Sequence, residues 1–296
     1  MSLRITILLF SLFPVLPIAA QGGDYYRNPT AYQIGLLPEA VEGTSSLFFY
    51  EGRLWTANDH GRLRLYSLDT LTAEVDSVID LGVNVYDLEE VTIDSNYLYF
   101  GDFGDNSGVR TNLRILRLAR RNLAEGRFLF DTIRFHYPER TRAWARNFDC
   151  EAFVAGADSL YLFTKQWISH NSVCYALPKE PGDYAASRRF TLYAGGLVTG
   201  ACYLPGRCCL ALVGYSLLVK PFVYLIDGFD AECFDQGRHR RTALANPVGT
   251  QTEGIATLDG IHFFLSHETL ALRFFTRRAA LLTLDLMGMP EESNIR

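Results

Sequence analysis

The chain has 296 residues, 48% of them hydrophobic and 13% aromatic, with a formal net charge of −5. That balance excludes the basic footprint of a nucleic-acid binder and the polar composition of a disordered chain. It leaves enough apolar material for one large core.

Residues 1–20 begin with a basic residue, Arg4, and continue as ITILLFSLFPVLPIAA, ending in small residues. This pattern predicts a secretory signal peptide and a secreted or periplasmic protein. Pro14, Pro17 and the polar run QGGDYYRNPT weigh against a membrane anchor. No later segment is apolar enough to span a bilayer, so residues 21–296 are expected to be a single domain with no membrane span once the signal is removed.

The segment AYQIGLLP (31–38) alternates as a strand. A pattern of strand, tight turn and strand then begins at Ser45 (SSLFFYEGRLWTAND) and returns at Glu89 (EEVTIDSNYLYFGDF), Glu151 (EAFVAGADSLYLFTK), Thr199 (TGACYLPGRCCLALVGYS) and Glu253 (EGIATLDGIHFFLSHE). Four copies reach an aromatic residue at matching places, Trp55, Tyr99, Tyr161 and Phe263. The starts lie 44, 62, 48 and 54 residues apart, a spacing of blades rather than of leucine-rich or ankyrin units.

Each copy runs on into further strands: RLRLYSLDT and AEVDSVIDL, NLRILRLA and FDTIRFHYP, SVCYALP and RRFTLYAG, FVYLIDG and RTALANP. The last copy supplies only LLTLDL before the chain runs out. The prediction is an all-β, five-bladed β-propeller whose ring is closed by the N-terminal strand at 31–38, which removes an open edge. A sixth blade is the alternative, because LALRFFTRRAALL (270–282) can be counted differently. Helix is scarce: LRLARRNLAEGRF is the one candidate, and its first part reads better as a strand. The terminal EESNIR reads as a tail.

Six cysteines, at 150, 174, 202, 208, 209 and 233, permit disulfides in an exported protein. Four of them sit in or beside apolar strands and read equally well as buried thiols. A Cys202–Cys209 bridge across one hairpin is left open.

Inner strands of a propeller line its channel, so the five start residues should form a ring: Ser45, Glu89, Glu151, Thr199 and Glu253. Three carboxylates at one height repel, and a cation relieves the conflict. An all-oxygen set suits a hard ion, and Ca²⁺ fits it better than Mg²⁺. The second strands end near the same mouth. They bring Asn58, Asp59, Asp102, Lys165, Tyr215, His267 and Glu268 around it, and the loop GDFGDNSGVR adds Asp105, Asn106 and Arg110. Each of these residues also has a reading as a turn or capping group. The GxSxG, HExxH, P-loop and dinucleotide fingerprints are missing.

At the five hairpins the chain resembles the calcium-activated nucleotidase (apyrase) family, through SSLFFYEGRLWTAND, LEEVTI, CEAFVA, TGACYLP and TEGIA. The resemblance implies a five-bladed propeller with one calcium ion held in the channel by glutamate and serine. The second-blade mouth, GDFGDNSGVR, lacks that family's basic loop, and His60 rather than arginine follows Asp59. In GDFGDN, HYPER and FDCEAF the chain is more similar to secreted bacterial propellers of unknown activity, with a looser likeness to phytase-like propellers.

Three functions are open at this point. The first is a calcium-held binding module for an extracellular small molecule or protein. The second is a calcium-dependent hydrolase of phosphoanhydrides or phosphoesters, with Lys165 and the ion stabilising charge while Asp59 or Asp102 orients water. The third is a glycoside hydrolase using two ring glutamates.

Overall fold

A computed structural model describes residues 28–272 and 275–286; the signal peptide expected at 1–20 and the tail expected at EESNIR lie outside them. Strand β1 (Tyr32–Leu36) is followed by a first sheet of β2 (Phe48–Tyr50), β3 (Arg53–Ala57), β4 (Gly61–Leu68) and β5 (Val75–Val85). The second sheet is β6 (Leu88–Ile93), β7 (Tyr97–Asp102), β8 (Arg114–Ala119) and β9 (Phe130–His136), with a one-turn helix α1 (Arg120–Ala124) after β8. The third contains β10 (Asp149–Ala155), β11 (Ser159–Lys165) and β12 (Ser172–Pro178). The chain then leaves as β13 (Gly182–Ala185) and returns as β14 (Ser187–Leu192), the outer strand of that sheet. The fourth is β15 (Leu197–Leu204), β16 (Cys209–Tyr215), β17 (Pro221–Asp227) and β18 (Arg238–Ala243). The fifth begins with β19 (Thr252–Thr257) and β20 (His262–His267). A small hairpin of β21 (Leu270–Leu272) and β22 (Phe275–Arg277) precedes its third strand, β23 (Ala280–Asp285).

The five sheets are the blades of an all-β propeller. β1 pairs antiparallel with β23 and becomes the fourth strand of the last blade. Asn246 staples this closure, accepting the amide of Ala31 at 2.9 Å and donating to its carbonyl at 2.8 Å.

The hydrophobic residues divide into five clusters, one in each seam between neighbouring blades. On β10, Ala152 and Val154 enter the seam with the fourth blade, whereas Phe153 and Ala155 enter the seam with the second. Successive side chains point to opposite faces of a strand, and here both faces are covered. That is why β10 and β19 are buried at every position and read as unbroken apolar runs. The outer strand β5 instead alternates exposed and covered residues, with Asp76 and Asp80 outward.

The extra strand β13 was not expected from the sequence. It adds parallel to β9, so a segment from the third blade becomes a fifth strand of the second. Arg117 anchors it, donating to the Lys179 carbonyl at 2.9 Å while pairing with Asp131 and Glu180.

All six cysteines are free thiols. The Cys202–Cys209 bridge does not form, because in the β15–β16 register Cys202 faces Ala211 and Cys209 faces Leu204. Among the described residues no helix is long and apolar enough to cross a membrane.

Candidate functional site

Four inner strands share one irregularity. Pairing steps by a residue between Leu88 and Glu90, Cys150 and Ala152, Val198 and Gly200, and Thr252 and Gly254. The residue left over is Glu89, Glu151, Thr199 or Glu253. The first blade makes the same step between the Thr44–Asn58 bridge and the Phe48–Trp55 pair, around Ser45. A one-residue bulge leaves its extra residue outside the ladder and re-aims its side chain. The repeated sequence pattern is therefore a repeated bulge.

Ser45, Glu89, Glu151 and Glu253 line a single cup of about 340 Å³ at the mouth, together with Asp59, Asp87, Asn106, Lys165, Trp167, Tyr215, Gln251 and Glu268. Thr199 is not part of this lining. Its hydroxyl donates to the Thr252 carbonyl at 2.6 Å, as the Ser45 hydroxyl donates to the Leu88 carbonyl at 2.5 Å. Each hydroxyl thus ties its blade to the carbonyl just before the next blade's bulged glutamate.

Lys165 donates to Oε1 of Glu151 at 2.7 Å, and its ammonium lies 4.8 Å from the ring centre of Trp167 and 5.6 Å from that of Tyr215. Trp167 is fixed in turn by its indole N–H, which donates to Asp149 at 2.9 Å. Gln251 donates to Glu253 at 2.8 Å. Among the described residues no hydrogen bond or ion pair reaches the Glu89 carboxylate.

Burial, with the neighbouring charges of Glu151, Asp87 and Asp149, raises Glu89 well above the usual carboxylate range. Burial raises Glu151 in the same way, against the pull of Lys165. It pushes Glu253 up to about 8, Glu268 to about 7 and Asp87 to about 6. Burial alone would lower the Lys165 ammonium, but Glu151 and Glu253 raise it well above the ordinary lysine value. Among the described residues, six carboxyl groups line the cup together with one ammonium, that of Lys165.

Below the bulge, Glu90 is completely buried and reaches from the second blade to the fourth, accepting the Ala201 amide at 3.0 Å and the Val91 amide at 3.0 Å. These blades are not neighbours in the ring, so the side chain crosses the channel. Burial drives its carboxyl well above the normal range.

Several residues expected at the mouth do other work. Asp102 is buried, pairs with Arg110 at 3.0 Å and Arg114 at 2.8 Å, and accepts the amides of Tyr86 and Asp87. It cannot orient a water in the cup, and Arg110 is committed to it. Asp105 accepts the amides of Val109 and Arg110 and pairs with Arg140. Asn58 braces its own turn through His60, Arg62 and Arg64. His267 is buried with Nδ1 against the Glu268 carbonyl, and burial lowers its pKa.

The GDFGDN run is a strut. Phe103 packs edge-on to Phe153 at 5.2 Å in the seam between the second and third blades. A Cβ at Gly101 would meet the Phe103 ring, and one at Gly104 would collide with the Glu89 and Asp87 carboxylates. The Asp105 amide donates to Asp149 at 2.8 Å, so the loop braces the carboxylates of two blades.

Asp87, Trp167 and Gln251 line the cup without having been foreseen, and Asp149 stands behind it. A signal was present: two residues before each ring glutamate comes Asp87, Asp149 or Gln251, an acid or amide each time.

No protein-family model matches the chain, and no curated protein matches it. Among solved structures the chain is similar to the PQQ-bound aldose sugar dehydrogenase of Streptomyces coelicolor, 10% identical at a TM-score of 0.44, covering 88% of this chain and 96% of that one. A putative glucose dehydrogenase of Thermus thermophilus is 12% identical at a TM-score of 0.45, covering 86% and 100%. A protein from Lactobacillus plantarum is 16% identical at 0.41, covering 81% and 69%.

Proposed function

We propose that this chain is an exported binding module whose cup takes up a divalent cation, calcium, and presents its mouth face to an extracellular ligand. The observation that carries this reading is the charge imbalance: Asp59, Asp87, Glu89, Glu151, Glu253 and Glu268 face one cup in whose lining, among the described residues, Lys165 is the one lysine or arginine, with His60 at Asp59 from outside it. Buried carboxylates without counter-charge are costly, and a divalent cation offsets them. The donors are all oxygen, which a hard ion of flexible coordination accepts. Among the described residues no three His, Cys, Asp or Glu side chains are gathered tightly enough to hold an ion as they stand. Binding therefore requires the glutamates to turn inward, Glu89 first because no partner restrains it. The likeness of the five hairpins to calcium-activated nucleotidases supports the same ion.

A binding role is favoured over hydrolysis because Asp102 is held under the surface by two arginines and Lys165 is held by Glu151. Calorimetric titration of chelator-stripped protein with Ca²⁺ tests the ion, with Mg²⁺ as comparison. Saturable Ca²⁺ binding that weakens at least tenfold in Glu89→Gln is expected; heat indistinguishable from dilution defeats the reading. Nucleoside di- and triphosphates, phytate and simple esters should all remain unhydrolysed, with or without chelator.

A further inference from the structure

Five consecutive mouth-side connections, from β9–β10 round to β18–β19, each carry an exposed large apolar side chain. They are Trp144, Ile168, Tyr193, the pair Leu217 and Leu218, and Val248, all more than half exposed. The opposite face has Leu71, Leu129 and Leu258 on separate turns. Singly exposed apolar residues are ordinary, but a contiguous set on one face marks an interaction surface.

The connections are braced against one another. Trp144 and Ile168 border one hollow of about 390 Å³, and the Ile168 amide donates to Asn147 at 3.2 Å. The Gly196 amide donates to the His170 carbonyl at 2.9 Å, tying the Tyr193 turn to the Ile168 turn. The Gly249 amide donates to the Val219 carbonyl at 2.9 Å, tying Val248 to the leucines. Hydrogen bonds from backbone amides thus hold these connections in two groups, one bearing Trp144, Ile168 and Tyr193 and the other bearing Leu217, Leu218 and Val248, which reduces the backbone ordering loss on binding.

The connections adjoin the acidic cup, with Trp167 and Tyr215 lining the cup on that side. The complement of the two is apolar at the rim and positive over the centre. An anionic membrane surface is disfavoured by the carboxylates, whereas a protein segment with a basic side chain among apolar ones satisfies both regions.

We propose that these connections and the cup form a docking surface for a protein segment that lays apolar side chains along the third and fourth blades and directs an arginine or lysine towards Glu268 and towards Asp59, whose Oδ1 already meets Nδ1 of His60 at 2.5 Å. This rests on reading the cup as a cation-binding site, and it names the partner of that site.

The test uses hexapeptide pools with leucine or phenylalanine at the flanks and a central arginine, lysine, citrulline or glutamate. Binding to the full chain is measured by fluorescence anisotropy with calcium and with chelator. The expected result is at least tenfold tighter binding of the basic pools than of the citrulline and glutamate pools. The preference should drop at least fivefold in Glu268→Gln, and all pools should bind less well to the double variant Ile168→Ser, Leu218→Ser, whose exposed sites leave the fold intact. Equal binding of basic and acidic pools overturns the proposal. So does vesicle binding, to phosphatidylcholine with phosphatidylglycerol, that the double variant abolishes while no pool binds. Calcium titration of the same samples separates the two readings: an intact calcium heat without peptide preference removes the docking surface alone, and peptide preference without calcium heat removes the ion alone.

Discussion

Nζ of Lys165 lies 2.7 Å from Oε1 of Glu151, and both side chains are almost wholly buried. The pair joins the end of β11 to the bulge of β10, so the chain's own ammonium stands among the carboxylates that repel one another. Removing one partner of a buried pair leaves the other uncompensated, typically at about 3–5 kcal/mol. Lys165→Met should therefore destabilise the chelator-treated protein by roughly that amount in urea unfolding. Adding Glu151→Gln should recover most of the loss, since the orphaned charge is gone. Additive losses in the double variant would show that the two groups act independently.

Acidification should stabilise the ion-free protein. Glu253 is pushed up to about 8 and Glu268 to about 7, in both cases chiefly by burial, and burial likewise takes Asp87 to about 6. In the unfolded chain these carboxyls titrate near their ordinary values of about 4. The folded state therefore binds protons that the unfolded state does not. The resulting stability is fully present below the unfolded range and is lost as pH rises through the folded values. Melting temperatures in chelator should fall by several degrees between about pH 5 and pH 8.5. Glu253→Gln should flatten the profile, and a flat wild-type profile would show that these carboxyls are not strained.

The blade count, the ring closure by residues 31–38 and the position of the bulged residues were all legible, because both-face burial turns each inner strand into an apolar run with a polar start. The inner identity of the cup was only half legible. Strand ends point to the mouth, but sequence does not show whether an acid there meets an arginine. Asp102 is captured by Arg110 and Arg114, whereas Asp59 lines the cup. From sequence, Lys165 is expected to stabilise charge on a ligand, whereas its geometry makes it a counter-ion to Glu151. β13 was illegible because its pairing is with another blade, and the four residues GDYA carry little strand pattern.

Asp102 should behave as a structural residue. It is completely buried and satisfies two guanidinium groups and the amides of Tyr86 and Asp87. Asp102→Ala should cost about 3–5 kcal/mol through the two stranded arginines, measured by chemical denaturation. Asp102→Asn keeps acceptors for the amides and should lose less. If both variants unfold with the wild type, the loop is not anchored there.

Gly104 should link the loop to the ion. Its backbone lies against the Glu89 and Asp87 carboxylates, and any Cβ there would occupy their place. The collision is with side-chain ends, so Gly104→Ala should be tolerated by the fold while displacing both carboxylates within the cup. The expected result is a melting temperature within a few degrees of wild type and calcium affinity reduced at least tenfold by calorimetry. Gly206→Ala is the comparison, since a Cβ there meets nothing within 4 Å, and its calcium affinity should equal the wild type's. Equal affinities in all three proteins would mean that Glu89 and Asp87 do not hold the ion, moving the site to Glu253 and Glu268 on the far side of the cup.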